Sequence, residues 1–546
     1  MQNKNNDKTF VQSRPVSGFS KAMSVWDAFF YNFLTMGVIF PWTFLWGPAS
    51  FPGGNVQLAI LITLIIQIPI SLAYSFLSTT LPVSGGDYIF QKRAFGKWGF
   101  IVVMSGFVIW ILQWVALSGW LFATLGLAPL FLCLGVYTNN PSLTQMGMSI
   151  QSPFGILFVS ILLALFTTVF LTRGMRLYVK IQKYLFAFTL IAISIVIYVF
   201  AFKSNNFNLN LNNFVANLIH QINLKVPQGL THNFTEFIKT DVQKHGFNLK
   251  PSFSWLATLG IVPIVWTSLQ WATYSVEQSD EIAEANKFYK QLFMLLGSAV
   301  AVAGFLILIA HFENQATSSE FVLAASASYW GQAASPETIT IVKSVIQPFP
   351  NILAMAASGS ILISIFISLG FIANSFQITC NCFIGVTRIL YAMGTDGLLP
   401  RKLSLETIDP IRHVPVRAHW FYFFASLPVI IGYSLISEWS TYSLGVTFAC
   451  GYVFVFSTLA ATRIPTKMKT EWSNSEIHSF PAWLIKSISY FGFILGMAIL
   501  FAYLLLPQLG VTGDIANFVV IGIFVLSYLL YWNASRKSSL VEKEYK

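Results

Sequence analysis

The sequence predicts an all-α polytopic membrane protein with twelve transmembrane helices. Three observations predict it. Of 546 residues, 55% are hydrophobic and only 10% are charged, whereas a soluble domain carries about 25% charged residues. Long stretches hold no charge at all, as at 28–86 and 98–172. Lys and Arg gather in alternate connections between the apolar runs.

A span needs about 20 apolar residues, and a charge at the bilayer centre costs at least about 2.5–3.5 kcal/mol. Residues 1–24 are a polar N-tail, and the first apolar run is too long for a cleavable signal. Residues 28–86 hold two spans, split by Gly47-Pro48 and Pro52-Gly53-Gly54. Residues 98–172 hold two more, split by the polar Thr138–Ser152 stretch. Single spans fit 184–202, 251–276, 291–312, the later part of 344–387, 418–437, 439–462, 487–513 and 515–535.

Twelve spans put both termini on one side. With that side cytoplasmic, the outer face keeps only Lys203, Lys225, Lys239, Lys244, Lys250 and Lys343 of 32 Lys and Arg. Most of these sit in one long loop, which weighs little in the positive-inside rule. The +11 net charge is therefore an orientation signal for a multi-pass protein of the cell membrane, not a nucleic-acid patch. The outer loop Lys203–Pro251 is rich in Asn and is expected to be irregular. It carries Asn233-Phe234-Thr235, a glycosylation acceptor pattern. The Thr317–Gln347 loop is expected to form short helices over the outer mouth. The four cysteines form no disulfide or metal pattern.

Two spans carry breaks. Phe29–Trp46 has Thr35-Met36-Gly37 and Pro41 near its centre, and Ser254–Tyr274 has Gly260 and Pro263. Gly weakens a helix and Pro removes a backbone donor. Interrupted spans in the two halves of a membrane protein point to a transporter's binding site. The competing reading is that Gly and Pro simply permit close helix packing.

Three further stretches carry a resemblance. Pro82-Val83-Ser84-Gly85-Gly86-Asp87-Tyr88 follows the second span. Thr387-Arg388-Ile389-Leu390-Tyr391-Ala392-Met393 and Asp396-Gly397-Leu398-Leu399-Pro400 precede Val414-Pro415-Val416-Arg417-Ala418. Asp280-Glu281-Ile282 follows the sixth span. In this order they resemble the signatures of amino acid–polyamine–organocation (APC) permeases. The break in helix 1 departs from the family's G-S-G-I-F-like run, keeping Gly37 and Ile39-Phe40.

The resemblance implies the leucine-transporter-like fold. Helices 1–5 (25–202) and 6–10 (251–462) would be inverted repeats, with the loop 203–250 outside. A cytoplasmic loop 463–486, helices 11–12 (487–535) and a cytoplasmic C-tail 536–546 would follow. It also implies a secondary transporter that moves amino acids by alternating access. Free N–H groups near Gly37–Phe40 suit a carboxylate. Unwound carbonyls near Phe33–Thr35 and Ile264–Ser268 suit an ammonium group. No ionisable side chain is expected in the pocket, which favours a neutral amino acid.

The candidate substrate residues are Thr35, Met36, Gly37, Val38, Trp110, Gln113, Thr267, Ser268, Gln270 and Trp271. Glu281 with Arg93 or Arg388 is a candidate gate pair. Coupling is left open between sodium, a proton, and exchange or uniport with no coupling ion. Ser364 and Ser368, one turn apart, are candidate sodium ligands, and the lysine that some members carry in helix 5 is replaced here at about Thr189. No cofactor, metal or enzyme motif is expected. A non-transporting sensor of the same fold, or a carrier of polyamines or other organocations, is the alternative.

Overall fold

In the computed structural model the described residues are 18–37, 41–436, 439, 444–509 and 514–544. They are helical almost throughout. Two isolated β-bridges, Met23 with Ile282 and Ser84 with Gln278, are the only ladder contacts among the described residues.

Among the described residues, ten helices are long and apolar enough to cross a membrane. The first expected span falls outside that group because it is broken into α1 (Val25–Met36) and α2 (Pro41–Ser50). Ser24 and Asp27 form a capping box at the start of α1, satisfying amides that have no partner within the helix. Then come α3 (Val56–Thr80), α4 (Gly86–Phe95), α5 (Lys97–Tyr137), α6 (Pro141–Ile150), α7 (Pro153–Leu171) and α8 (Met175–Phe202). At 41 residues, α5 contains two wider π-helical segments, Met104–Ile109 and Phe122–Leu127.

The second half begins with α12 (Trp255–Leu269), which tightens into a 3₁₀ segment, Gln270–Glu277. It continues through α13 (Phe288–Thr317), α16 (Pro350–Ser358), α17 (Ile361–Thr395), α18 (Val416–Leu435) and α19 (Leu444–Ala461). Last are α20 (Ala482–Leu505) and α21 (Asp514–Glu544). The expected tenth span corresponds to α19, whose apolar stretch Thr447–Ala461 is short.

The Lys203–Pro251 loop is not irregular, which corrects the expectation. It folds into α9 (Phe207–Gln221), α10 (Gln228–His232) and α11 (Phe234–Lys244). Leu211, Phe214, Val215, Leu218 and Ile219 recur at helical spacing, and all are buried. The asparagines occupy the other face. This cap meets α14 (Ser319–Trp330) and α15 (Pro336–Ser344), the short helices expected in the next loop.

Candidate functional site

The interruptions of the first span and of α12 meet. At the end of α1, Gly37 takes the left-handed conformation, φ 61°, which costs a side-chain-bearing residue free energy. The Met36 carbonyl accepts from Ser268 Oγ at 2.9 Å. The Leu34 carbonyl accepts from Asn374 Nδ2 on α17 at 3.0 Å. Thr35 Oγ1 donates to the Tyr31 carbonyl at 2.6 Å and accepts from Asn381 Nδ2 at 2.5 Å. Asn32 fastens the tight segment, accepting from the Ser275 N–H at 2.9 Å and donating to Ser275 Oγ at 2.9 Å. Carbonyls at the end of α1 are thus answered by buried side chains of α12 and α17, as unwound backbone at membrane depth requires.

Gly260 and Pro263 do not break α12, contrary to expectation. The helix runs through both, and its winding changes at Gln270. Proline is tolerated inside a membrane helix because neighbouring helices satisfy the groups it frees.

Beside this junction stands a group of buried aromatic rings. Trp271 packs against Trp114 (5.3 Å between ring centroids), Tyr274 (5.1 Å), Phe454 (5.5 Å) and Phe107 (6.2 Å). The Trp110 and Trp271 Nε1, the Tyr274 hydroxyl and Gln270 Oε1 are buried without a hydrogen-bond partner. Thr267 spends its hydroxyl on the Ile264 carbonyl at 2.6 Å. Gln113 accepts from Trp439 Nε1 at 2.7 Å.

Val38 lies outside the described residues. Ser364 and Ser368 are not brought to the break. Ser364 bonds the Ser360 carbonyl and Ser368 the Gly126 carbonyl, each at 3.1 Å. Asn374, about two turns further along α17, reaches the break instead. Asn32, Asn374 and Asn381 were missed, although a lone Asn inside an apolar run was a readable signal.

The sequence matches the amino acid permease family over residues 23–526. The chain belongs to that family. It is a multi-pass membrane protein. It is also 34% identical over 85 residues to the uncharacterized protein 399 of Sulfolobus islandicus rod-shaped virus 1. That match covers 15% of this chain and 21% of the viral protein, so the chain spans about a fifth of that relative's length.

A buried ion pair joins the segment after α12 to α17. Arg388 Nε and Nη2 donate to Glu281 Oε1 and Oε2 at 2.7 and 3.1 Å. Burial raises the Glu281 carboxyl by more than Arg388 lowers it, leaving it at about 7. Arg93 is not the partner; it lies 3.4 Å from Glu471. The segment before α1 lies beside this pair. Met23 accepts from the Ala283 N–H at 2.8 Å and donates to the Glu281 carbonyl at 3.0 Å, and Phe19 lies 5.1 Å from the Arg388 guanidinium.

The Gly85-Gly86 pair lets α4 lie against its neighbours. Gly85 has φ +73°, and a Cβ there would meet Ala392 Cβ at 2.7 Å. A Cβ on Gly86 would meet the Val276 carbonyl oxygen at 2.6 Å. The motif is therefore a packing surface.

Proposed function

We propose that this permease carries neutral amino acids by alternating access, binding the zwitterion where the two interrupted helices meet. The observation that carries the reading is the junction itself. The end of α1 is bonded to α12 and α17, and the polar atoms nearby that lack partners belong to uncharged Trp110, Gln270, Trp271 and Tyr274. A helix N-terminus attracts the substrate carboxylate, carbonyls attract its ammonium, and the rings receive an uncharged side chain. Glu277 is the acid that ends the tight segment, and it is turned to Asp87 rather than to the rings.

In this reading the Glu281–Arg388 end faces the cytoplasm with both termini, because Lys and Arg gather there. The loop carrying α9–α11 faces out. Helices 1–5 and 6–10 form the inverted repeats about the site. The protein sits in the cell membrane.

Counterflow in proteoliposomes tests the proposal. Labelled alanine, leucine, lysine, glutamate and putrescine are offered to purified permease preloaded with each in turn. Exchange of alanine or leucine ahead of the charged compounds is expected. Putrescine exchanging fastest would refute the neutral-substrate reading. Specific binding with no exchange would make the protein a sensor.

A further inference from the structure

A second polar cluster lies away from the aromatic site. Asp87 sits in the first turn of α4 and Glu277 ends the tight segment, and neither side chain is exposed. Their carboxyl groups lie within hydrogen-bonding reach of one another. The Asp87 N–H donates to Glu277 Oε1 at 3.3 Å. Tyr74 of α3 donates to Asp87 Oδ1 at 2.5 Å, and Ser457 of α19 donates to the same oxygen. No donor reaches Asp87 Oδ2 or Glu277 Oε2. Gln91 donates to Ser457 at 2.9 Å while its own carbonyl oxygen lacks a partner.

The surroundings supply no counter-charge. Tyr31 of α1 and Tyr274, nearby, are uncharged phenols. Arg388 of α17 is held by Glu281. Asp280 accepts from Ser84. Lys467, on the short turn packed against α4, is exposed. No ion pair reaches either carboxyl among the described residues. Two adjacent carboxylates in a dry site cannot both stay ionised, because each lacks hydration and repels the other.

We propose that Asp87 and Glu277 share one proton in this closed arrangement and release it when α4 and the 270–277 segment part, which makes the pair the proton-coupling site of the permease. This rests on the transport reading above. The pair spans the elements that must separate at this end: the Gly85 N–H is bonded to the Glu277 carbonyl at 2.8 Å. Seven residues back along the same segment lies Gln270, at the substrate site. Proton and substrate therefore act on one mobile element. Parting admits water to both carboxyls, each ionises at its ordinary value, and the shared proton leaves toward the opened side.

Two measurements on full-length permease test this. The first is infrared spectroscopy near neutral pH. The carbonyl stretch of a protonated carboxylic acid is expected, and the part of it that belongs to the pair should be lost in the double variant Asp87→Asn/Glu277→Gln; a band unchanged in that variant overturns the proposal. Its absence from the unsubstituted protein overturns the proposal whatever the protein transports.

The second is proton movement alongside net uptake of alanine and leucine into substrate-free liposomes holding a pH-sensitive dye. The proton-to-substrate ratio should fall about tenfold or more in Glu277→Gln and return in part in Glu277→Asp. An unchanged ratio, or substrate movement without protons in the unsubstituted permease, overturns the coupling. Failure of the unsubstituted permease to move any amino acid would overturn the transport reading, and the coupling with it.

Discussion

Arg388 and Glu281 bond at two points, 2.7 and 3.1 Å, with neither side chain exposed to solvent. Residues 107 apart in sequence are thereby tied together. Removing one partner leaves a bare charge in a dry site, which typically costs about 3–5 kcal/mol. Replacing both with apolar groups of similar size is often neutral. Arg388→Met should therefore lower thermal stability sharply, and adding Glu281→Leu should restore most of it. A double variant as unstable as Arg388→Met would show that packing, not charge, matters at Arg388.

Gly37 ends α1 in the left-handed region. A left-handed residue with a branched side chain is strained by about 1–2 kcal/mol, and the side chain would crowd the exposed backbone. Gly37→Leu should abolish substrate binding while the protein still inserts and purifies. Gly37→Asn, which tolerates this conformation, should keep more binding. Scintillation proximity binding on matched amounts of protein makes the comparison, and equal binding by Gly37→Leu would move the site elsewhere.

The fold was legible because insertion into lipid excludes charge, so the spans stood out as charge-free runs. The first break was legible because Gly37 and Pro41 weaken a helix locally. The second was misplaced because Pro263 costs a helix little when neighbours satisfy its surroundings. The change of winding at Gln270 depends on tertiary bonds such as Asn32 to Ser275, which no local pattern reports. Choosing Arg388 over Arg93 as the partner of Glu281 required the same long-range information. Asp87 was hidden differently: within its motif it reads as a turn residue, and only the fold brings Glu277 against it. The Asn-rich loop was misread although the stripe from Leu211 to Ile219 was available.

Topology follows from the distribution of Lys and Arg. Cysteines placed at Lys225 and Lys244 should react with an impermeant thiol reagent on intact cells. Cysteines at Arg176 and Lys467 should react only after permeabilisation. Equal labelling at Lys467 and Lys244 would overturn the assigned orientation.

Asp241 joins the two long loops, accepting from the Ser335 N–H at 2.8 Å and its hydroxyl at 3.0 Å. Burial raises its carboxyl, but the hydrogen bonds from Ser335 and Thr338 and the nearby His245 outweigh this and hold it below the ordinary 3.8. A lowered value means the docked loop prefers the ionised form. The stabilisation is complete above the ordinary value and is lost as pH falls through the lowered one. Hydrogen exchange over 234–244 should therefore stay slow at neutral pH and quicken under acid. Asp241→Ala should quicken it at neutral pH by about fivefold, the equivalent of one hydrogen bond. Exchange unchanged in that variant would leave the loops held by apolar contacts alone.

Trp271 separates packing from recognition. Its ring meets four others, while its Nε1 is buried without a partner. A buried donor left unmade costs about 1–3 kcal/mol, so it needs a compensating role. If the substrate carboxylate or a carbonyl of the opening junction accepts from it, the N–H matters to binding and the ring to stability. Trp271→Phe keeps most of the ring and deletes the N–H. Affinity for alanine or leucine should fall about fivefold, with little loss of thermal stability, because the free protein no longer buries an unsatisfied donor. Trp271→Ala should lose both, since truncating a buried tryptophan costs about 3–5 kcal/mol. Unchanged affinity in Trp271→Phe together with lowered stability would assign Trp271 to packing and move recognition to Trp110, Gln270 and Tyr274.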